Sequence, residues 1–493
     1  MQYQSTRDSR HTASAAQAIL QGIAPDGGLY MLSDPGALSF PMAELVHMSA
    51  MEISERVLGL LLPGFTREEL HAIVTAAYTH KFETEDLVPL VPVGDRYILE
   101  LFRGPTSAFK DVALSVLPHL ISIAKAKLGV KEDILILTAT SGDTGKAALE
   151  GFHDVPGTRI VVFYPHGGVS RIQQAQMVTQ PGKNVRVCAI EGNFDDAQSG
   201  VKAIFTSARA ANALSGKAML SSANSINWGR LAPQIIYYVS TYAQLVADGE
   251  IELGDKINIV VPTGNFGNIL AGYYAKHMGV PVNKLICASN ANNVLTDFIK
   301  TGIYDRNRPF HTTISPSMDI LISSNLERLL YHLSGSDDAQ IREWFGSLSK
   351  TGRYEVTDEV KKAIADEFYA GCCDDEQTKG AIKEVFDEYS YLMDTHTAVA
   401  YKVYEDYKKK TGDNTKTLIA STANPYKFGF AVYDALGGET EGVDEFELIG
   451  KLEKLTKTTC PKALSDTKNK PVRFTGSIKP EEMAEAVLEF INK

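Results

Sequence analysis

The sequence has few cysteines, no long apolar run and no excess of positive charge. Its cysteines form an odd, irregular set that fits neither a disulfide framework nor a zinc site: Cys188, Cys287, Cys372, Cys373 and Cys460. Reduced thiols and a start without a signal-peptide core favour a cytoplasmic protein. No run of about 18 apolar residues occurs, so we expect no membrane span.

The balance of charge also excludes some functions. A net charge of −11 argues against nucleic acid as a partner, because binding phosphates along a backbone needs a basic face. A small anionic substrate stays open, since a few local donors can override the overall charge. No histidine pair has the His-Glu-x-x-His spacing and no Gly-x-Ser-x-Gly elbow occurs, so we predict no metal site and no serine nucleophile of that kind.

The pattern of apolar residues changes along the chain. Helix patterns and turns fill the first 95 residues, whereas short apolar runs alternate with helical stretches after residue 96. This alternation indicates an α/β fold with mostly parallel sheets. The predicted units are a mainly helical N-terminal domain (1–95), a core of two layered α/β subdomains (96–440, divided at about 105–225 and 226–440, with a charged helical insert at 330–410) and a small α+β segment packing on the core (441–493).

Individual elements can be predicted within this outline. Seven apolar runs predict strands at Tyr97–Leu101, Ile134–Thr140, Arg159–Tyr164, Val185–Ile190, Ile257–Pro262, Lys284–Ser289 and Thr417–Ser421. The segments between them predict helices at about 107–128, 144–153, 169–179, 194–213, 228–248 and 267–278.

Residues 104–111, Gly-Pro-Thr-Ser-Ala-Phe-Lys-Asp, are the most informative stretch. They place Lys110 behind a Gly-Pro turn and at the start of a long apolar helix. Burial there disfavours the ammonium form and lowers the pKa of the lysine. A free lysine amine can form a Schiff base with a carbonyl compound. The alternative is that Lys110 and Asp111 are ordinary first-turn residues of a surface helix.

A second motif, at residues 257–268, reads as strand, glycine turn and helix. Gly264 and Gly267 allow a positive φ and let an anion approach the backbone. The N–H groups of the turn and the helix N-terminus would together form an anion cradle. The alternative is a plain strand-to-helix turn.

Three further loops follow strands or precede helices. In residues 138–145, Ser141, Thr144 and local N–H groups could hold a carboxylate, or Asp143 or Thr144 could simply cap the next helix. Residues 222–230 concentrate short polar side chains ahead of a helix, and residues 419–425 form a strand end with hydroxyls. A hydroxyl at the strand end in residues 419–425 could be a neutral partner for a ring nitrogen. The alternative for residues 222–230 and for residues 419–425 is an ordinary capped turn. We interpret His396, which follows the predicted cap Asp394, as a structural residue or a support for residues of the site rather than as a general base.

These motifs meet the needs of one cofactor. Ligands of open α/β sheets bind at the carboxyl ends of strands, where the motifs lie. Pyridoxal phosphate needs an amine for its aldehyde, a cup for its phosphate and a partner for its pyridine nitrogen. The motifs supply one candidate for each requirement, so they predict a pyridoxal phosphate site.

The sequence resembles the threonine synthase family from about residue 3 to about residue 430. The resemblance is carried by Glu100–Asp111, Leu137–Gly145, Ser222–Arg230, Val261–Asn268, Ala420–Pro425 and the N-terminal Gln21–Tyr30. Asp143 stands where the related cysteine synthases carry asparagine, which favours threonine synthase over them. The fold implied is fold type II of pyridoxal phosphate enzymes.

The resemblance also implies a role for each motif. Lys110 would bind the cofactor covalently and later carry protons, and Thr422 would meet the pyridine nitrogen. The cofactor phosphate would be held by Gly264, Asn265, Phe266, Gly267 and Asn268. The substrate carboxylate and the cofactor ring would lie near Ser141, Gly142, Asp143 and Thr144. Candidates for the substrate phosphate are Asn224, Ser225, Asn227 and Arg230.

The reaction implied is the last step of threonine biosynthesis. O-phospho-L-homoserine and water would give L-threonine and phosphate by γ-elimination and addition of water at the β-carbon. Two alternatives stay open: a related phospho-lyase that releases ammonia, phosphate and a carbonyl compound, and a catalytically silent homologue that acts as a binding protein. The resemblance leaves open whether the protein is a monomer or a homodimer.

Overall fold

A computed structural model describes residues 2–32 and 38–492. Sixteen β-strands run along these residues: β1 Tyr3–Ser5, β2 Thr12–Ala13, β3 Tyr30–Leu32, β4 Leu90–Val93, β5 Arg96–Glu100, β6 Asp133–Ala139, β7 Thr158–Pro165, β8 Val185–Ile190, β9 Ala218–Ser221, β10 Ile257–Pro262, β11 Val282–Ser289, β12 Ile303–Asp305, β13 Arg353–Glu355, β14 Phe368–Cys372, β15 Thr417–Ser421 and β16 Ser477–Ile478. All seven strands that the sequence predicts are among them.

Twenty-one α-helices lie between and after these strands: α1 Ala15–Gln21, α2 Met42–Leu45, α3 Ala50–Leu61, α4 Arg67–Tyr78, α5 Lys110–Lys127, α6 Asp143–Phe152, α7 Arg171–Val178, α8 Phe194–Thr206, α9 Ala208–Leu214, α10 Trp228–Ala247, α11 Gly267–His277, α12 Val294–Thr301, α13 Leu326–Leu333, α14 Asp338–Thr351, α15 Asp358–Glu367, α16 Asp375–Tyr389, α17 Thr395–Thr411, α18 Gly429–Ala435, α19 Glu445–Thr456, α20 Lys462–Ser465 and α21 Met483–Ile491. No helix of residues 2–32 and 38–492 has the length and apolarity to cross a membrane.

The larger sheet has six strands in the order β14-β11-β10-β15-β5-β4. Its strands pair in parallel, except that β4 runs antiparallel to β5 at one edge. Every residue of β5, β10 and β15 is buried, as in strands covered on both faces. The carboxyl ends of β5, β10 and β15 therefore lie side by side.

The smaller sheet has five strands, all parallel, in the order β16-β8-β7-β6-β9. Helices α6 and α8 pack on its central strands. Strand β16 adds the C-terminal segment to the edge of this sheet, and α21 packs against α8 and α9. Two mostly parallel sheets with helices around them confirm the predicted α/β fold class.

The N-terminal helices α1, α3 and α4 pack on two long helices of the core, α5 and α10. Helix α3 lies against α10, and α1 and α4 lie against α5. Capping boxes fix two of the helix starts: Ser49 with Glu52 begins α3, and Thr66 with Glu69 begins α4. A small antiparallel sheet, β2-β1-β3, accompanies these helices and is absent from the prediction.

The structure corrects two elements. Residues 330–410, predicted as a helical insert without strands, contain β13 and β14, and β14 is the edge strand of the larger sheet. The five residues of β14 lie between the charged helices α15 and α16, and α15 ends at the residue before β14 begins. The predicted helix 194–213 is two helices, because Ser207 caps a new start and accepts a hydrogen bond from Ala210 N at 3.2 Å.

Candidate active site

The turn before α5 fixes the position of Lys110. The Asp111 carboxylate accepts hydrogen bonds from the Thr106 N–H at 2.8 Å and from the Thr106 hydroxyl, which holds the turn against the first turn of the helix. Gly104 is required there, because a Cβ would lie 2.5 Å from Asp111 Cβ. Lys110 and Asp111 are 7% and 2% exposed, so the reading of them as ordinary surface residues is wrong.

The same turn is joined to the end of β15. Phe109 N donates to Thr422 O at 2.9 Å, and Asn424 N donates to Ser107 O at 3.1 Å. Thr422 is buried at this junction. Because Phe109 immediately precedes Lys110, its hydrogen bond brings the backbone of Lys110 close to Thr422. The first and the last of the predicted motifs therefore meet directly.

Burial and the charged groups around Lys110 together set its protonation. Its Nζ lies 3.7 Å from Asp143 Oδ2, while Asp143 Oδ1 is bound by Lys427 Nζ at 2.6 Å and by Gln173 Nε2 at 2.9 Å. Burial lowers the pKa of Lys110 to about 8, against the attraction of Asp143. With a pKa near 8, about one-tenth of the amine is free at pH 7, against less than about one-thousandth for an unperturbed lysine.

Asp143 is ionised in these surroundings. Burial raises its pKa, but the ammonium groups of Lys427 and Lys110 outweigh burial and hold the pKa well below its usual range. A carboxylate of this kind repels a substrate carboxylate. Four residues are predicted to lie near the substrate carboxylate and the cofactor ring: Ser141, Gly142, Asp143 and Thr144. The Asp143 side chain instead serves as the counter-ion of Lys110 and Lys427.

The loop before α6 presents backbone N–H groups. Gly142 is the N-cap with φ 134°, and Thr140 Oγ1 accepts from Gly142 N at 3.0 Å and Gly145 N at 2.9 Å, so neither Asp143 nor Thr144 supplies the predicted side-chain cap. The N–H groups of residues 141, 143 and 144 donate to no protein atom in the described ranges. They form an open helix N-terminus suited to a carboxylate.

The glycine loop between β10 and α11 is also open. The N–H groups of residues 264–268 donate to no protein atom of the described chain, and α11 has no side-chain cap. The residue with positive φ is Phe266, at 63°, rather than Gly264 or Gly267 as the sequence suggested. Gly264 provides space instead, because a Cβ on it would lie 2.9 Å from Ser317 O.

The loop at residues 222–230 faces this cradle. A Cβ on Gly267 would lie 3.7 Å from Ser225 Cβ, so Ser225 borders the glycine loop. Asn224 is exposed, and Arg230 is buried with one N–H donated to Ala223 O at 2.8 Å. Asn227 caps α10: its amide donates to Ile19 O and Ser222 O and accepts from Gly229 N, which uses its hydrogen-bonding groups within the scaffold.

The residues present fit pyridoxal phosphate. The free N–H groups of 264–268 suit a phosphate, and the buried amide Nδ2 of Asn268 beside them has no partner among the described residues. Lys110 offers an amine for the aldehyde, and Thr422 lies at the strand end next to it. Each group that the cofactor needs therefore has a counterpart near the carboxyl ends of strands in the larger sheet.

Sequence reasoning missed Lys427 and Gln173, the two side chains that bind Asp143. Lys427 follows Pro425-Tyr426 in a short helical turn after β15, and nothing in that stretch marks a functional lysine. His396 is structural as predicted: its Nδ1 pairs with the capping carboxylate of Asp394 at 2.7 Å, and its Nε2 accepts from Ser317 N at 3.2 Å.

Three family models match consecutive parts of the chain. "Threonine synthase N terminus" matches residues 2–78, "Pyridoxal-phosphate dependent enzyme" matches 97–365, and "Threonine synthase, C-terminal" matches 397–491. The threonine synthase of Saccharomyces cerevisiae is 35% identical over 519 residues, covering 99% of each chain. The chain belongs to the threonine synthase family.

Solved structures of this family agree. The pyridoxal phosphate-bound threonine synthase of Brucella melitensis superposes with a TM-score of 0.88 at 36% identity, covering 100% of this chain and 98% of that one. The yeast enzyme gives 0.89 at 33% identity, covering 100% and 99%. The cofactor of this family member is pyridoxal phosphate.

Another relative shows that the family name alone leaves the activity open. Human "Threonine synthase-like 1" is 38% identical over 438 residues, which cover 85% of this chain. The matched part is 58% of the human protein's length, so this chain spans less than two thirds of that relative.

Proposed function

We propose that this protein is a threonine synthase, converting O-phospho-L-homoserine and water into L-threonine and phosphate. The observation that carries the proposal is a buried Lys110, with its pKa lowered to about 8, hydrogen-bonded through its turn to the strand end of Thr422. A silent binding protein has no need for a lysine kept partly neutral in a buried site. The complete set of site groups supports an active enzyme.

The residues that would hold the cofactor are Lys110, the loop 264–268 and Thr422. Pyridoxal phosphate supplies an electron sink that stabilises negative charge at the α- and β-carbons of a bound amino acid. Thr422 offers a hydroxyl rather than a carboxylate to the ring nitrogen. A neutral partner at Thr422 would leave that nitrogen largely unprotonated and would moderate the electron sink.

Lys110 would carry the protons of the reaction. Its amine would take a proton from one carbon of the substrate and return a proton to a neighbouring carbon. A group that both accepts and donates a proton in this way needs a pKa near the working pH. With its pKa lowered to about 8 by burial, Lys110 meets this requirement. Its anchored turn, tied to Asp111 and Thr422, keeps the amine at the end of the sheet.

The two anionic ends of the substrate have separate candidates. The open N–H groups of residues 141, 143 and 144 would bind the carboxylate. Arg230, with Asn224 and Ser225, would bind the substrate phosphate next to the glycine loop, and Asn227 would support them as the cap of α10. Two anion sites flanking Lys110 match a substrate that carries a carboxylate and a phosphate.

Product analysis tests the proposal. The purified holoenzyme is incubated with O-phospho-L-homoserine, and threonine, inorganic phosphate, ammonia and oxo acid are quantified, with Lys110→Ala as the control. We expect threonine and phosphate in equal amounts and no product from the control. Oxo acid with ammonia would show the related phospho-lyase activity instead, and a cofactor-loaded protein without any turnover would show a silent homologue.

A further inference from the structure

Lys427 connects the two sheets at the active site. Its side chain is 0% exposed, its Nζ lies 2.6 Å from Asp143 Oδ1, and it donates to Thr106 O at 3.1 Å. Asp143 begins α6 on the smaller sheet, whereas Lys427 follows β15 of the larger sheet, and Thr106 belongs to the lysine turn. One ammonium group therefore joins three segments of the site.

The Asp143 carboxylate is shared unequally between two lysines. One oxygen binds Lys427 at hydrogen-bonding distance, while the other lies 3.7 Å from Lys110 Nζ, too far for a hydrogen bond. Lys110 donates no hydrogen bond to the described residues, and its Nζ stands 4.7 Å from the centre of the Phe109 ring. Lys427 and Gln173 hold the carboxylate in this position.

We propose that Lys427 is a positioning residue that holds the Asp143 carboxylate away from Lys110 and thereby leaves the Lys110 amine free for the cofactor and for proton transfer. The inference rests on the proposed function for its importance in turnover. The positions of Lys427, Asp143 and Lys110 relative to one another do not depend on the proposed function.

The groups that face Lys110 act in opposite directions. Asp143 and Asp111 favour its ammonium form, whereas Lys427 and Arg230 oppose it. Loss of the Lys427 charge removes one repulsion and also frees Asp143 to bind Lys110 as its main partner. Both effects favour the ammonium form of Lys110.

Labelling of the cofactor-free protein tests this. Trace acetic anhydride is applied between pH 6 and 11, and acetylation of the Lys110 peptide is measured by mass spectrometry in the parent, Lys427→Gln and Lys427→Arg. Lys146→Gln is the matched control, because Lys146 is also a buried lysine but pairs with Glu150 at 2.8 Å and with Gln180. Circular dichroism confirms that each variant is folded.

We expect the midpoint of Lys110 labelling to rise by at least about one pH unit in Lys427→Gln, a tenfold loss of free amine at neutral pH. Lys427→Arg keeps the charge, so it and Lys146→Gln should stay within about 0.3 units of the parent. A lower melting temperature without a shifted midpoint in Lys427→Gln would mean that Lys427 only supports the fold, and would overturn the inference.

A double variant gives the test where Lys427→Gln does not fold. Asp143→Asn, Lys427→Gln leaves no buried charge of the pair without its partner and is compared with the parent. Asp143 and Lys427 act in opposite directions on Lys110, so the midpoint should stay within about 0.5 units of the parent if Lys427 holds the carboxylate away from Lys110. A fall of more than about one unit would mean that Asp143 is the main partner of Lys110 in the parent, and would overturn the inference. Labelling needs no substrate, so a failure of threonine formation in the parent would refute the proposed function and leave this result standing.

Discussion

Replacement of Gly264 by alanine tests whether the glycine loop binds the cofactor phosphate. Gly264 has no positive φ, so alanine fits the backbone and only space decides the effect. The new Cβ would lie 2.9 Å from Ser317 O and 3.4 Å from Met318 Cα, and both are backbone atoms. Gly264 O accepts from Ser323 Oγ at 2.8 Å and Ser317 N donates to His396 at 3.2 Å, so both sides of the contact are anchored.

The size of the effect follows from this contact. Overpacking of a well-packed site costs about 1–3 kcal/mol. The free protein can relieve this strain only by moving the loop against the two hydrogen bonds that anchor it, and bound phosphate opposes that movement because it needs the N–H groups of residues 264–268 in place. The cost then falls on binding, and a Kd roughly 5- to 150-fold higher is expected, since about 1.4 kcal/mol corresponds to a factor of ten.

Gly267→Ala is the matched comparison. Its Cβ would lie 3.5 Å from Asn325 Nδ2 and 3.7 Å from Ser225 Cβ, which are ordinary contacts, so we expect less than about a threefold change in Kd. Gly346→Ala, on α14 with no atom within 4 Å of the new Cβ, serves as a remote control. Equilibrium dialysis of cofactor-free proteins with pyridoxal phosphate gives the constants. Equal affinity of Gly264→Ala and Gly267→Ala would refute the reasoning.

Three further predictions concern Lys110 and Thr422. Lys110→Ala should abolish threonine formation, because the site has no second amine in its position; normal turnover with a borohydride-trapped cofactor on another lysine would contradict this. Thr422→Asp should protonate the ring nitrogen of the cofactor, since an opposite charge within about 4–6 Å favours the charged form. The yield of threonine should then fall relative to the yield of transamination products. An unchanged product ratio with full cofactor occupancy would exclude Thr422 as the partner of the ring nitrogen. Burial lowers the pKa of Lys110 from 10.5 to about 8, so the unfolded chain binds more protons between those values and the stability of the cofactor-free protein rises through that window. Lys110→Met should therefore raise the unfolding free energy by about 3 kcal/mol at pH 7 but by only about 1 kcal/mol at pH 10, at about 1.4 kcal/mol per pKa unit; urea unfolding at the two values measures the difference, and a gain independent of pH would contradict it.

The sequence predicts the strands of the core well because those strands are buried on both faces. Runs such as Ile257–Pro262 and Thr417–Ser421 are mostly apolar and end at turn residues, so their boundaries are visible. The edge strand β14 lacks this signal, since Phe-Tyr-Ala-Gly-Cys is short and partly exposed. Strand β9, Ala-Met-Leu-Ser, has no β-branched residue, and its pairing with β6 supplies what local preference does not.

The candidate site is predictable where it depends on backbone and unpredictable where it depends on distant partners. Lys110 and the loop 264–268 follow strands and precede helices, so their chemistry is readable from the chain. The sequence predicts Asp143 near a substrate carboxylate, because its neighbours along the chain suggest an anion site. Lys427 and Gln173, which give it another role, come from other elements, and their approach to Asp143 is a property of the packed sheets.

The hydrogen bond from Phe109 to Thr422 also has a consequence for protein synthesis. The lysine turn leaves the ribosome about 300 residues before its partner strand, an interval of roughly 15–60 s at 5–20 residues per second. During that interval β5 lacks its neighbour β15, and its unpaired N–H and C=O groups are open to wrong pairing or to a chaperone. A nascent chain can complete the pocket only once β15 has emerged, so capture of pyridoxal phosphate marks molecules whose translation has passed that strand.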